Sequence, residues 1–169
     1  MLEACRIRKM AQDDLPMVLA WRNHPNVRSF MFTQHEISPE EHYDWFMKTN
    51  LDLGRSLLIV EEEDQSIGYV QFNRITNGGV ADWGFYAKPN APKGSGYKLG
   101  ATALKYAFDS LKLHKVCGQT IESNHASIAF HRRLGFVLEG VLRSQQRIEG
   151  SYQSLYCFGL LASEWQLEP

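Results

Sequence analysis

The sequence predicts an α+β (mixed α/β) fold, in which about four helices pack on a largely antiparallel sheet of about seven strands. Its 169 residues, 44% of them apolar, match one ordinary domain with a core of its own. Short strand-like runs are separated by Gly, Asn and Asp turns, and helical spacing occurs both early in the chain and after residue 95. We therefore expect one domain over residues 1–169, with helices packed against a single sheet.

The pattern in the first quarter of the chain predicts one strand followed by two helices. The strand covers residues 6–9, and a helical pattern opens at Asp13. That helix should stop near Pro25, because helix is disfavoured just before proline. The second helix begins with Ser38 as N-cap and Glu41 closing a capping box. Its aromatic and histidine side chains are His42, Trp45 and Phe46.

Three strand-like runs follow, at residues 56–62, 67–75 and 80–87. Polar turns around Asp64-Gln65 and Asn77-Gly78-Gly79 join them, which predicts an antiparallel meander.

The last third alternates helices and strands. The predicted elements are a helix over 96–111, a strand over 116–121, a helix capped by Asn124 that runs to Leu134, and a hairpin of strands 136–142 and 152–161 around Glu149-Gly150.

Composition excludes several classes of partner. With 18 basic and 19 acidic residues interspersed, the formal charge is −1, so we expect neither nucleic acid nor an anionic membrane as partner. Cys5, Cys117 and Cys157 are odd in number and lie among apolar residues, which suits reduced thiols better than disulfides or a metal site. No run approaches the ~18 apolar residues of a membrane span, and the N-terminus lacks a signal-peptide core. We expect a cytoplasmic protein without a metal.

A glycine-bearing loop before the helix over 96–111 could bind an anion. Glycines let backbone N–H groups approach a ligand, and a helix N-terminus adds about half a positive charge. The alternative is a plain turn. The loop is neither a Walker loop nor a dinucleotide fingerprint, because the third glycine, Gly100, falls one residue late.

A second motif follows about thirty residues later, Asn124-x-x-Ser127-x-x-x-His131-x-x-Leu134-Gly135-Phe136. Together with the glycine loop and the strand order, it resembles the GNAT superfamily of N-acetyltransferases. The resemblance implies acetyl-CoA as co-substrate, direct acetyl transfer without an acyl-enzyme, and a thioester carbonyl bound by a backbone N–H of the fourth strand. The cofactor-binding positions it implies are Phe85, Tyr86, Ala87, Lys93, Gly94, Ser95, Gly96, Tyr97, Lys98, Asn124 and Ser127.

A third set of residues bears on the acceptor. The Arg-Asn-His-Pro-Asn run after Trp21, the Leu113-His114 turn and the Leu138-Glu139-Gly140 segment resemble the acetyltransferases of the pseudaminic-acid pathway over nearly the whole chain. That resemblance implies a nucleotide-linked amino sugar as acceptor, of the UDP-4-amino-4,6-dideoxy-N-acetyl-altrosamine type. Its nucleotide would be bound by Arg22, His42, Asn73 and Arg74. A homodimer and a monomer both stay open.

The catalytic residues depart from the GNAT pattern. Gln119 stands where many members have a glutamate base, and an amide cannot take up a proton at neutral pH. His131 stands where a tyrosine commonly protonates the CoA thiolate; it is either an acid or base, or a structural residue. Asp82 and Glu122 are secondary candidates. The alternative functions are a protein N-terminal or ribosomal-protein acetyltransferase, and a non-catalytic acyl-CoA-binding module.

Overall fold

The structure, a computed structural model, describes residues 4–166 and contains a seven-stranded sheet in the order β1-β2-β3-β4-β5-β7-β6. The strands are Cys5–Lys9 (β1), Ser56–Glu62 (β2), Gln65–Asn73 (β3), Val80–Ala87 (β4), Lys115–Ile121 (β5), Val137–Ile148 (β6) and Ser151–Leu161 (β7). The helices are Leu15–Asn23 (α1), Pro25–Arg28 (α2), Pro39–Thr49 (α3), Ser95–Asp109 (α4) and His125–Arg133 (α5), with a 3₁₀ turn at Gln12–Asp14. The predicted fold class is confirmed.

The helix α2 is the element that the sequence pattern missed. Pro25 ends α1, as predicted, but it also starts a four-residue helix of its own. His24 caps this helix, because its Nδ1 accepts a hydrogen bond from the Asn26 amide at 3.2 Å. Proline is well suited to a first helical position, since its fixed φ is helical and its missing N–H would have no partner there.

Half of the capping box predicted for α3 forms. The Glu41 amide donates to the Ser38 hydroxyl oxygen at 3.1 Å, which is the expected N-cap. The Glu41 carboxylate, however, binds Nε2 of His35 at 3.0 Å.

The hairpin strands are longer than the sequence pattern indicated. The β2–β3 turn uses Glu63 and Asp64, both with positive φ (48° and 64°), so β3 begins at Gln65. The strand β6 continues to Ile148, well beyond the predicted end at residue 142. This stretch lies on the edge of the sheet and is almost entirely exposed, so backbone pairing with β7 holds it and no apolar alternation marks it.

Helices cover both faces of the sheet. On one face, α4 packs its buried Leu99 and Leu104 against Leu58, Val70 and Phe72 of the strands. On the other, α1 and α3 contribute a second cluster of buried side chains, including Val18, Trp21, Phe46, Ile59 and Tyr69. Each such buried side chain contributes roughly 1.5–3 kcal/mol to stability. Within residues 4–166, no helix has the length and apolar character needed to cross a membrane.

The strands β4 and β5 are parallel and part from each other after a short contact. Their pairing covers only Val80 with Lys115, Ala81 with Val116 and Asp82 with Cys117. Beyond that point β4 stays paired with β3, and β5 with β7. The result is a V-shaped gap between residues 83–87 of β4 and residues 118–121 of β5.

Candidate active site

The V-shaped gap exposes one edge of β4 to a ligand. One edge of β4 pairs with β3, where Phe85 lies opposite Val70 and Tyr86 lies opposite Tyr69. On the opposite edge, no strand among residues 4–166 pairs with β4 beyond Asp82, so alternate backbone N–H and C=O groups there lack a strand partner. The predicted carbonyl-binding segment, Phe85 to Ala87, lies on this edge.

The side chains of Trp83, His131 and Phe158 form an aromatic cluster, called here the wedge, at the closed end of the gap. His131 of α5 is 1% exposed, and its ring stacks on Phe158 at 4.9 Å. The indole N–H of Trp83 on β4 donates to Nε2 of His131 at 3.1 Å. The backbone of Gly118 on β5 passes so close that a Cβ there would lie 2.5 Å from His131 Nε2 and 2.7 Å from Trp83 Nε1. Only glycine therefore allows β5 to approach the Trp83–His131 pair.

Hydrogen bonding fixes the tautomer of His131. Its Nδ1 lies 2.8 Å from the carbonyl oxygen of Ser127, so Nδ1 carries the proton and donates it. Nε2 must then be the acceptor for Trp83. Burial lowers the pKa of His131, which also keeps the ring neutral. Because both ring nitrogens are engaged, this geometry favours the structural interpretation of His131 over a part in proton transfer.

The glycine loop forms an open helix N-terminus. Gly94 is the N-cap of α4 with φ +97°. The Ser95 amide donates to the Pro92 carbonyl and the Lys98 amide to the Gly94 carbonyl. Between them, the amides of Gly96 and Tyr97 have no backbone acceptor in the described part of the chain.

This helix start fits an anion from outside. A Cβ at Gly94 or Gly96 would meet no atom within 4 Å, so neither glycine is needed for internal packing. The ammonium of Lys98 turns away from the loop to pair with Glu62, and Lys93 is exposed. These backbone donors are therefore accessible to a phosphate group.

Gly100, the glycine that falls one residue late, has a packing role. A Cβ there would lie 2.5 Å from Phe130 and 2.7 Å from Leu134, both at α5 or its C-terminal end. It therefore sets the close contact between α4 and α5, which joins the two motifs.

The motif asparagine caps α5. The side-chain oxygen of Asn124 accepts from the Ser127 amide at 3.2 Å. This bond uses the amide oxygen, and the side-chain nitrogen of Asn124 can donate to another group.

A cavity of about 310 Å³, called here the inner pocket, lies beside β4. Its lining comes from α1, the loop before α3, α3 itself, β3 and β4: Arg22, Met31, Thr33, Ile37, Glu41, His42, Trp45, Tyr69, Gln71, Gly84, Phe85 and Tyr86. Phe85 and Tyr86 also belong to the β4 segment along the V-shaped gap, so the pocket adjoins the gap.

Arg22 is the cation of the inner pocket. It is 8% exposed; its Nη2 donates to the Thr33 carbonyl at 2.9 Å, while its buried Nη1 has no partner among residues 4–166. Burial lowers the pKa of Arg22, yet a guanidinium stays charged. His42 is 5% exposed and stacks on Trp45 at 5.1 Å; burial and the nearby Arg22 lower the pKa of His42.

The predicted acceptor set divides into two groups. Arg22 and His42 line the inner pocket together, but Asn73 and Arg74 lie outside its lining. The side chain of Arg74 is 79% exposed, and its Nε binds Asp82 Oδ2 at 2.5 Å. This ion pair also engages the carboxylate of Asp82, one of the secondary base candidates.

The other two catalytic candidates lie along β5. Gln119 is exposed, and its Nε2 is 3.7 Å from Sγ of Cys157 on β7. Glu122 follows β5 directly, is exposed, and donates its backbone N–H to Ser154.

Several site residues escaped the sequence interpretation. Trp83 and Gly118 build the wedge, and Gln71 of the inner pocket accepts from the Tyr69 hydroxyl at 2.8 Å. A Cβ at Gly84 would come within 3.1 Å of the Gln71 amide nitrogen. Glycines inside predicted strands, here Gly84 and Gly118, were the available signal for these close contacts.

Known proteins match this chain in sequence and in fold. The model of the acetyltransferase (GNAT) domain family matches residues 5–137. Acetyltransferase PseH of Campylobacter jejuni is 29% identical over 138 residues, which covers 82% of this chain and 86% of that protein. Spermidine N(1)-acetyltransferase of Vibrio cholerae is 26% identical and covers 94% of each chain. The crystal structure of the Vibrio cholerae spermidine N-acetyltransferase in complex with CoA and spermine superposes with a TM-score of 0.87 at 27% identity, covering 95% of this chain and 97% of that one.

Proposed function

This chain belongs to the acetyltransferase (GNAT) domain family, and from that premise we propose that it acetylates the amino group of a nucleotide-linked amino sugar, with acetyl-CoA as donor. The proposed acceptor is of the UDP-4-amino-4,6-dideoxy-N-acetyl-altrosamine type. PseH of Campylobacter jejuni supports this choice as a relative, and the inner pocket supports it by its charge.

The donor side of the proposal uses the two motifs. The free amides at the start of α4 suit the CoA pyrophosphate, and the open edge of β4 suits the thioester carbonyl. When bound, acetyl-CoA supplies an activated acyl group and a thiol leaving group. The chain's own contribution is to hold the donor and the acceptor at a fixed distance, which can account for much of the rate gain.

The buried guanidinium of Arg22 is the main support for an anionic acceptor. A buried cation without a carboxylate partner is costly to keep, and a bound anion would offset that cost through charge-assisted hydrogen bonds. The one carboxylate of the pocket lining, Glu41, is bound to His35. The pocket thus favours an anionic group such as a nucleotide phosphate.

Polyamine acetylation is the second candidate, because the superposed structure is a spermidine N-acetyltransferase with spermine bound. A polyamine carries several positive charges, and the guanidinium of Arg22 would repel them in a pocket of low dielectric. The charge of the inner pocket therefore ranks the nucleotide sugar above a polyamine. Acetylation of a protein N-terminus is supported only by the sequence resemblance.

Release of CoA thiol with each acceptor tests the proposal. We expect turnover of the UDP-4-amino sugar and little of spermidine. Arg22→Met, which keeps the shape and removes the charge, should raise the acceptor KM by about 10- to 150-fold, as expected for 1.5–3 kcal/mol from charged hydrogen bonds. The acceptor KM of Arg22→Lys should lie between those of the parent and of Arg22→Met, and the KM for acetyl-CoA should change little. Efficient spermidine turnover that Arg22→Met leaves unaltered would reject the nucleotide sugar.

A further inference from the structure

The face on which an amine would approach the V-shaped gap can be read from the strand register. Asp82 of β4 pairs with Cys117 of β5, and Gln119 of β5 pairs with Cys157 of β7. Since side chains alternate along a strand, Gly84 and Tyr86 share the face of Asp82, and Gln119 shares the face of Cys117. The inner pocket is lined by Gly84 and Tyr86 and so lies on this same face.

The strand side chains on this face offer little basic capacity. Gln119 is an amide, and its Nε2 contacts Cys157. The carboxylate of Asp82 is neutralised by the guanidinium of Arg74. Burial raises the pKa of the Cys117 thiol, which keeps it protonated near neutrality.

The pocket side chains add no stronger base. Burial raises the pKa values of Tyr69 and Tyr86 above that of a free phenol, so both keep their protons. His42 would have to accept a proton beside Arg22, and burial together with that cation lowers its pKa. Glu41 is bound to His35.

The elements packed behind the gap place no free base in the lining of the inner pocket. His131 has both ring nitrogens in hydrogen bonds to Ser127 and Trp83. Glu122 follows β5 and lies outside the lining of the inner pocket. Apart from Glu122, whose exposed carboxylate lies outside the inner pocket, each of the titratable groups named above is therefore neutral, hydrogen-bonded to a partner or weakened as a base.

An amine is nucleophilic only without its extra proton, so the balance of protons limits the substrate. The ammonium must first lose a proton to water or buffer. The nitrogen lone pair then attacks the thioester carbonyl carbon, the C–S bond breaks, and the second proton passes to the thiolate, directly or through solvent, giving an amide and CoA thiol. Below the amine pKa, each additional unit of that pKa lowers the reactive fraction about tenfold.

We infer that this enzyme selects a weakly basic amine, one whose pKa is lowered by neighbouring electron-withdrawing oxygen atoms, and discriminates against alkylamines. The inference rests on the proposed function for the site, and it narrows the acceptor by its chemistry. An amine on a sugar ring has such oxygen neighbours, whereas the primary amines of a polyamine do not. The discrimination comes from the weakness of the bases in the site, and it adds to the repulsion of a polyamine by Arg22.

The test is the pH dependence of kcat/KM for acceptors of graded basicity at saturating acetyl-CoA. The acceptors are the UDP-4-amino sugar, glucosamine, trifluoroethylamine and ethylamine, each with its pKa measured separately by NMR titration. We expect the midpoint of the acid limb to equal the pKa of the amine and to move with it from one acceptor to the next. A single midpoint shared by all turned-over acceptors would reveal a titrating enzyme group and overturn the inference.

Three variants that each remove one titratable group sharpen the test. With one acceptor, Asp82→Asn, Glu122→Gln and His42→Gln should each leave the midpoint in place, even where His42→Gln raises the KM. A variant that abolishes or moves the acid limb would identify the base and refute the inference. If the small amines follow the expected order while the nucleotide sugar is not acetylated, the proposed function fails and the selection for weak bases stands.

Discussion

His131→Phe separates the structural role of this residue from the catalytic one. The substitution keeps an aromatic ring in the wedge but removes both nitrogen atoms. The indole N–H of Trp83 then loses its acceptor in a buried site, which costs about 1–3 kcal/mol, and the bond to the Ser127 carbonyl is lost as well, at about 0.5–1.5 kcal/mol. We expect the free energy of unfolding to fall by about 2–4 kcal/mol near pH 7.5.

The pH dependence supplies an independent check on the same residue. Because burial lowers the pKa of His131 in the folded protein, the unfolded chain binds more protons below about pH 6.5. The buried neutral imidazole therefore costs no stability above the pKa that His131 has in the unfolded chain, and the free energy of unfolding falls as the pH drops below that pKa. His131→Phe lacks this titrating group and so lacks the loss. The difference in the free energy of unfolding between variant and parent should therefore narrow by up to about 1.4 kcal/mol as the pH falls from 7.5 to 5.5.

Urea unfolding at both pH values measures the stability, and thiol release measures kcat. The matched control is His125→Phe at the first position of α5, where the side chain is exposed; it should change stability by no more than about 0.5 kcal/mol. We expect kcat of folded His131→Phe to stay within about tenfold of the parent. A drop of about 10²–10⁴-fold with unchanged stability would return His131 to acid–base catalysis.

Three further predictions follow from single contacts. Gly118→Ala should destabilise the protein by about 1–3 kcal/mol in thermal unfolding, because its Cβ would overlap the wedge, whereas Gly140→Ala, where a Cβ meets nothing within 4 Å, should have little effect. Gly96→Val should weaken acetyl-CoA binding at least about tenfold in calorimetry by blocking the helix start; unchanged affinity would remove the loop from the donor site. Arg74→Ala should alter the acceptor KM by less than about threefold, since Arg74 already pairs with Asp82, and a larger rise would return Arg74 to the acceptor site.

The elements that the sequence predicted correctly are those with local causes. Ser38 caps α3 and Asn124 caps α5 through bonds to amides three residues away, and the turn at Glu149-Gly150 joins β6 and β7. Such interactions involve neighbours in the chain, so the residue types alone indicate them. The helix α2 was missed because a proline signals both the end of one helix and the start of the next.

The site geometry depended on contacts between residues far apart in sequence. Trp83 and His131 are 48 residues apart, and Arg74 meets Asp82 because β3 and β4 pair in one register. No local pattern distinguishes an arginine that faces a pocket from one that meets a carboxylate across a hairpin. The pairing of β3 with β4 therefore brings Arg74 to Asp82, apart from Arg22 and His42, which line the inner pocket.

The wedge connects the fold to the proposed chemistry. A tyrosine at the position of His131 would offer a hydroxyl that both donates and accepts, whereas this imidazole gives its proton to the Ser127 carbonyl and its lone pair to Trp83. The ring therefore holds α5 against β4, and the absent Cβ of Gly118 lets β5 close on the same pair. Because the strands part beyond this contact, the open edge of β4 becomes available to polarise a carbonyl. A site built this way positions its substrates, so the reactivity it needs has to come from the amine itself.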